Sequence, residues 1–134
     1  MFKIESQMKT KLTIFIAFIT LSTFNAFAQN EQDLQSLSIF SEYVKSKNYE
    51  AAYIPWMELR KRNPRFNKAI FVYGERILKN KIKTSSGPEQ VAYINDMVKL
   101  WKERAEFFPA ATPKGAYMAK ACQLKYDNRK ALGL

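Results

Sequence analysis

The chain has 134 residues, with 22 Lys and Arg against 12 Asp and Glu, no histidine, one cysteine and four glycines. That length holds one domain, and 47% hydrophobic with 25% charged residues is a globular balance rather than a disordered one. The commonest general base and metal ligand is missing, and one cysteine makes neither an internal disulfide nor a cysteine-based zinc site. Most familiar enzyme classes therefore drop out, and no catalytic, cofactor or metal site is expected.

Residues 1–28 are expected to be an export signal. Lys3, Lys9 and Lys11 give a positive start, Leu12–Leu21 is an apolar run, and Ala26-Phe27-Ala28 is a small-x-small cleavage pattern. The alternative is a membrane anchor. The apolar stretch is 17 residues long, interrupted by Thr20, Ser22, Thr23 and Asn25, and a bilayer span needs about 20. Cleavage would leave Gln29 as the mature N-terminus, with no transmembrane span and no following cysteine to carry a lipid. Losing Lys3, Lys9, Lys11 and Glu5 lowers the net charge from +10 to +8. Outside the cytoplasm nucleic acid is not the expected partner of such a charge; acidic proteins, anionic lipid or polysaccharide are.

The remaining chain reads as helical. Leu34, Leu37, Phe40 and Val44 give a first amphipathic helix ending near Asn48. Asn48 can cap a second, from Tyr49 to about Arg62, bent at Pro55 and stopped by Asn63-Pro64. Asn67 can cap a third, with Ile70, Tyr73, Gly74 and Ile77 on one face. Residues 80–87 contain Thr84-Ser85-Ser86-Gly87 and read as a solvent loop. Ser86 and Glu89 have capping-box spacing, with Pro88 in the first turn. They open a fourth helix over 88–108, whose stripe is Val91, Ile94, Val98, Trp101, Ala105 and Phe108. Thr112-Pro113 opens a fifth, carrying Ala116, Ala119 and Cys122. No hairpin dipeptide and no sustained alternation suggests a strand.

A shift of 45 residues carries Trp56 onto Trp101, Pro64 onto Pro109, Asn67 onto Thr112, Tyr73-Gly74 onto Met118-Ala119 and Ile77 onto Cys122. Against a shift of 34, which carries Ile39-Phe40 onto Tyr73-Gly74, the extra 11 residues fall between Leu78 and Val91, a lengthened turn. Tyr43, Asn48 through Ala52, Trp56 and Pro64 together resemble a tetratricopeptide repeat, whose period is about 34 residues. Tyr49 matches the aromatic opening the second helix of a pair, Ala52 the small crossing residue, Trp56 the packing aromatic and Pro64 the terminal proline. Tyr73-Gly74, Trp101 and Pro109 match the next unit, while Phe40 and Met97 stand where small residues belong. The blocks YVKSKNYEAAYIPW and FVYGERILKNKI resemble the N-terminal part of exported tetratricopeptide proteins of Bacteroidota. The resemblance implies an all-α domain over 29–134. Its antiparallel helix pairs stack as a short solenoid of about two and a half repeats, near 33–66, 67–111 and 112–134. It also implies the periplasm or envelope of a Gram-negative cell, or the surrounding medium.

Three groups of residues stand out. Glu103 and Glu106 lie three apart but flank Arg104 off the apolar stripe, so they read as solvated helix face rather than a glycosidase pair. Arg60, Lys61, Arg62, Arg65 and Lys68 span a helix end and the next turn. They are either cations favoured at a helix C-terminus or an anion-binding patch. Lys79, Lys81 and Lys83 form a second basic group. Phe71 falls off the main stripe and, with Lys45, Glu75, Lys79 and Lys120, is placed on an exposed inner face suited to a protein partner. Glu75 and Lys79 also have the spacing of a helix-surface pair. The fifth helix lacks a partner within the sequence, so its edge should meet a continuation of the chain or another copy. The expected role is a non-catalytic scaffold or adaptor in the envelope. The alternative is a basic module for anionic glycan or lipid.

Overall fold

The computed structural model describes Lys9, Lys11 and residues 27–134. The expected export signal lies, but for Lys9, Lys11, Phe27 and Ala28, outside the described residues. The chain divides into two compact units, Met1–Gln35 and Ser36–Leu134. In the first, the described residues 27–35 are helical. In the second, α1 covers residues 36–45, α2 Tyr49–Arg62, α3 Ala69–Thr84, α4 Gly87–Phe107 and α5 Lys114–Asp127, with a 3-10 turn at Pro109–Ala111. Among the described residues there is no strand, and no helix is long and apolar enough to cross a membrane.

Two of the expected caps form and two do not. Asn48 accepts from the Ala51 amide at 3.3 Å and Asn67 from the Ala69 amide at 2.8 Å, each satisfying a donor with no intrahelical partner. Ser86 makes no cap bond, so the Ser86/Glu89 capping box is absent. Thr112 does not cap α5 either; its hydroxyl is buried without a hydrogen-bond partner. α2 runs unbroken through Pro55.

The expected loop over 80–87 is largely helix. α3 extends to Thr84, leaving only Ser85 and Ser86 before α4. Ile82 belongs to the core, so the apolar face of α3 continues for another turn. The polar cluster then closes the helix end: Ser85 Oγ donates to the Lys81 carbonyl at 2.6 Å and Thr84 Oγ1 to the Asn80 carbonyl at 2.9 Å. Gln90, in the first turn of α4, donates to the Ile82 carbonyl at 2.9 Å. Gly87 turns the chain with φ of +59°, where a side chain would strain the backbone. The 11 extra residues lengthen two helices instead of a turn.

Helix contacts follow a regular order. α2 packs on α3, α3 on α4 and α4 on α5. Alternate helices meet as well. Phe40 of α1 stands edge-on to Tyr73 of α3 at 6.2 Å, and Tyr53 of α2 edge-on to Tyr93 of α4 at 5.9 Å. Arg60 of α2 is ion-paired to α4, and Lys120 of α5 to Glu75 of α3. α1, α3 and α5 thus line one side and α2 with α4 the other. The core runs between them through Phe40, Trp56, Ile70, Ile77, Ile94 and Leu100. Leu34 is exposed rather than part of the α1 stripe, and Met97 and Leu100 join the buried face of α4.

Candidate functional site

Phe71 is the clearest departure from expectation. It is 1% exposed, with Phe107 and Phe108 from the end of α4 at 6.1 and 5.8 Å. α3 is buried on two flanks: Ile70, Gly74 and Ile77 form one row, and Phe71, Leu78 and Ile82 another. A residue off the first row therefore falls on the second, and Phe71 is core, not part of a partner-binding face.

Glu75, Lys79 and Lys120 do come together. The Glu75 carboxylate accepts from Trp101 Nε1 at 3.1 Å and contacts Lys79 at 3.1 Å and Lys120 at 3.3 Å. Burial pushes its pKa up, but the indole and the two ammonium groups outweigh burial and hold it below the usual 4.5. Lys120 also lies 5.7 Å from the Trp101 ring centre. Arg76, which sequence reasoning did not single out, sits over the Tyr73 ring at 5.7 Å. Lys45 is held by Glu42 at 2.7 Å. That contact raises the lysine pKa above 10.5, with a smaller push in the same direction from Tyr73 of α3. The α1–α3–α5 side therefore presents Lys45, Arg76, Lys79 and Lys120 with one half-buried carboxylate among them.

The other basic group divides. Arg60 is 7% exposed and cannot meet an external anion. Its Nη1 donates to both Asp96 oxygens at 3.0 Å, and its Nε donates to Glu103 at 3.0 Å. Nη2 also lies 3.0 Å from Glu103 but its hydrogens miss the oxygen, so that contact is ionic only. The Trp56 ring centre is 5.2 Å from the Arg60 guanidinium. Arg62 donates to Ser36 at 3.3 Å, Arg65 lies over the Phe107 ring at 4.8 Å, and Lys61 and Lys68 are exposed. Nothing in the local sequence connects Arg60 to Asp96, which is 36 positions away. Glu103 is thus a partner of buried Arg60 and of Lys99 at 3.7 Å rather than free helix surface.

Lys81 also leaves the solvent group. Its ammonium lies between Tyr53 and Tyr93, 4.9 and 5.9 Å from the ring centres, and meets Glu50 at 2.6 Å. Lys83 remains exposed.

On α5 the half-buried residues are Tyr117, Ala121 and Leu124, all packed against the core. Ala116, Ala119 and Cys122, expected to form its apolar stripe, are exposed, as are Met118 at 57% and Tyr126 at 63%. At the other end of the array Ile39 and Tyr43 of α1 are exposed together.

A cavity of about 120 Å³ lies where α4, the 3-10 turn and α5 meet, lined by Trp101, Arg104, Thr112, Tyr117 and Lys120 among others. Both the Arg104 Nε and the Thr112 hydroxyl are buried without a hydrogen-bond partner. Among the described residues no group of three or more His, Cys, Asp and Glu side chains is placed to hold a metal. No protein-family model, curated protein or solved structure matches the chain.

Proposed function

We propose that this chain is an exported helical-repeat module that binds an acidic protein partner as a scaffold or adaptor of the cell envelope, without catalysis. The contact order carries the reading: each helix meets its neighbour and the next but one, as in a stack of tetratricopeptide-like helix pairs. Such an array offers one face of alternate helices to a partner. Here that face bears Lys45, Arg76, Lys79 and Lys120, which gives the partner its sign. Export rests on the signal pattern of residues 1–28 and on the resemblance of residues 43–56 and 71–82 to exported repeat proteins.

The test is a crosslinking pull-down from the native envelope, repeated over a salt series. Lys79→Glu with Lys120→Glu should abolish capture of the partner, while Lys61→Glu with Arg65→Glu and Lys68→Glu should leave it intact. The reverse pattern would move the function to the anion-binding patch, with glycan or lipid as ligand. Capture that salt does not weaken would sink the charge argument. Mature protein retaining Lys11 would sink export by cleavage.

A further inference from the structure

Arg104 presents a problem that the fold does not solve. Its Nε is buried without an acceptor, and no ion pair or hydrogen bond of its guanidinium occurs among the described residues. The rest of Arg104 is half-buried, but a buried N–H without an acceptor is costly, because it loses water without gaining a hydrogen bond. Thr112 repeats the problem one element later, since its hydroxyl is buried and unpartnered too. Both side chains line the same cavity, together with Lys120. Glu75 is shared between Lys79 and Lys120, so that trio keeps one positive charge in excess, and Arg104 adds a second.

The rest of the wall has a different character. The Trp101 and Tyr117 rings and Ala116 supply apolar surface beside the charged groups. A bare ion would leave that surface without a partner. A guanidinium presenting Nε–H, a hydroxyl and an ammonium suits the several oxygens of one oxyanion, and the Arg fork can engage two of them at once.

We propose that this cavity binds a small organic anion, a carboxylate or phosphate head on a short apolar stem. Arg104 and Thr112 take the head, Lys120 closes the rim, and Trp101 with Tyr117 hold the stem. The site shares Lys120 with the partner-binding face but needs neither Lys79 nor a macromolecule, and Arg104→Gln and Thr112→Val leave that face untouched.

Calorimetric titration of the full chain with butyrate, monobutyl phosphate and inorganic phosphate tests this. The expected result is saturable binding of butyrate or monobutyl phosphate, weakened about tenfold or more by Arg104→Gln and by Thr112→Val, and partly restored by Arg104→Lys. Whichever organic anion binds identifies the head group. Trp101 should report the same event as a fluorescence change. Inorganic phosphate binding as tightly as monobutyl phosphate would overturn the apolar stem. No saturable binding of any probe up to about 10 mM would overturn the site and leave water as its occupant. Undiminished binding by a folded Thr112→Val protein would overturn it as well. That variant is nearly isosteric, so it decides the question even if Arg104→Gln fails to fold.

Discussion

Trp56 packs directly against Gly74: a Cβ added to the glycine would stand 2.5 Å from Trp56 Cζ2 and 2.7 Å from Cε2 and Nε1. The ring has nowhere to retreat, because Nε1 donates to the Ile70 carbonyl at 2.7 Å and the side chain is fully buried. This close approach is how α2 and α3 cross. Glycine costs a helix about 1 kcal/mol relative to alanine, yet overpacking costs about 1–3 kcal/mol. Gly74→Ala should therefore lower stability by about 1–2 kcal/mol in urea unfolding. In a Trp56→Phe background the same change should cost less, since the smaller ring relieves the clash. An equal cost in both backgrounds would mean that the ring does not set the crossing.

Gly74 was legible as the small member of the Tyr73-Gly74 pair on one face of the third helix, and so were α2 and the starts of α3 and α4. Those signals are local: a cap, a proline, a period of three and four. What the sequence concealed depends on how many neighbours a helix has. α3 packs on both flanks, so Phe71 is buried although a single stripe excludes it. Thr84-Ser85-Ser86 looks like a loop by composition, but its hydroxyls close a helix that Ile82 holds in the core. Partners distant in sequence, such as Arg60 with Asp96, leave no local periodic trace. The Arg104–Thr112 cavity was equally hidden, since Thr112 reads as a helix cap and Arg104 as a solvated residue off the apolar stripe of α4.

The place of Phe71 gives a direct test. Phe71→Ala removes a buried aromatic wedged beside Phe107 and Phe108, and should cost about 3–5 kcal/mol. Lys79→Gln, on the exposed face, should change stability by no more than about 0.5 kcal/mol. Thermal unfolding followed by circular dichroism separates the two. A stable Phe71→Ala protein would return this residue to the surface.

Arg60 joins α2 to two carboxylates of α4, so its removal strands Asp96 and leaves Glu103 with only Lys99 at 3.7 Å. The Asp96 and Glu103 side chains keep 24% and 21% exposure, which tempers the penalty below that of a fully buried pair. Arg60→Met should destabilise by about 2–4 kcal/mol. Adding Asp96→Asn and Glu103→Gln should recover much of that loss, because no uncompensated charge then remains. If the triple variant is no better than Arg60→Met in urea unfolding, packing against Trp56 rather than charge is what Arg60 supplies.

Tyr93 should titrate far above an ordinary phenol. Burial, the Glu89 carboxylate accepting its hydroxyl at 3.2 Å and nearby Tyr53 push its pKa from 10.0 to about 12. A raised value means the folded state holds the phenolic proton longer than the unfolded chain does. The stability it contributes is intact below pH 10 and is lost between about 10 and 12. Absorbance titration near 295 nm should show as many tyrosines ionising around pH 10 in wild type as in Tyr93→Phe, with one further step near pH 12 in wild type alone. Glu89→Gln should lower the late step without abolishing it, since burial is the larger cause.

Glu75 works in the opposite direction, at the acid end. Its pKa is held below 4.5, because the Trp101 indole and the Lys79 and Lys120 ammonium groups outweigh the burial that would raise it. A depressed value means that the folded state favours the carboxylate. That stability is fully present above about pH 4.5 and is lost as pH falls through the lower folded value. Glu75→Gln keeps an acceptor for Trp101 Nε1 but abolishes the charge. Wild type should exceed Glu75→Gln in stability at pH 7, and the gap should narrow progressively below pH 4.5 in urea unfolding. Salt should shrink it in part, because the Glu75 side chain is 13% exposed but Lys79 and Lys120 are 64% and 52% exposed. A gap that stays constant between neutral and strongly acid pH would show that the two lysines do not hold this charge, and that α3 and α5 are joined by packing alone.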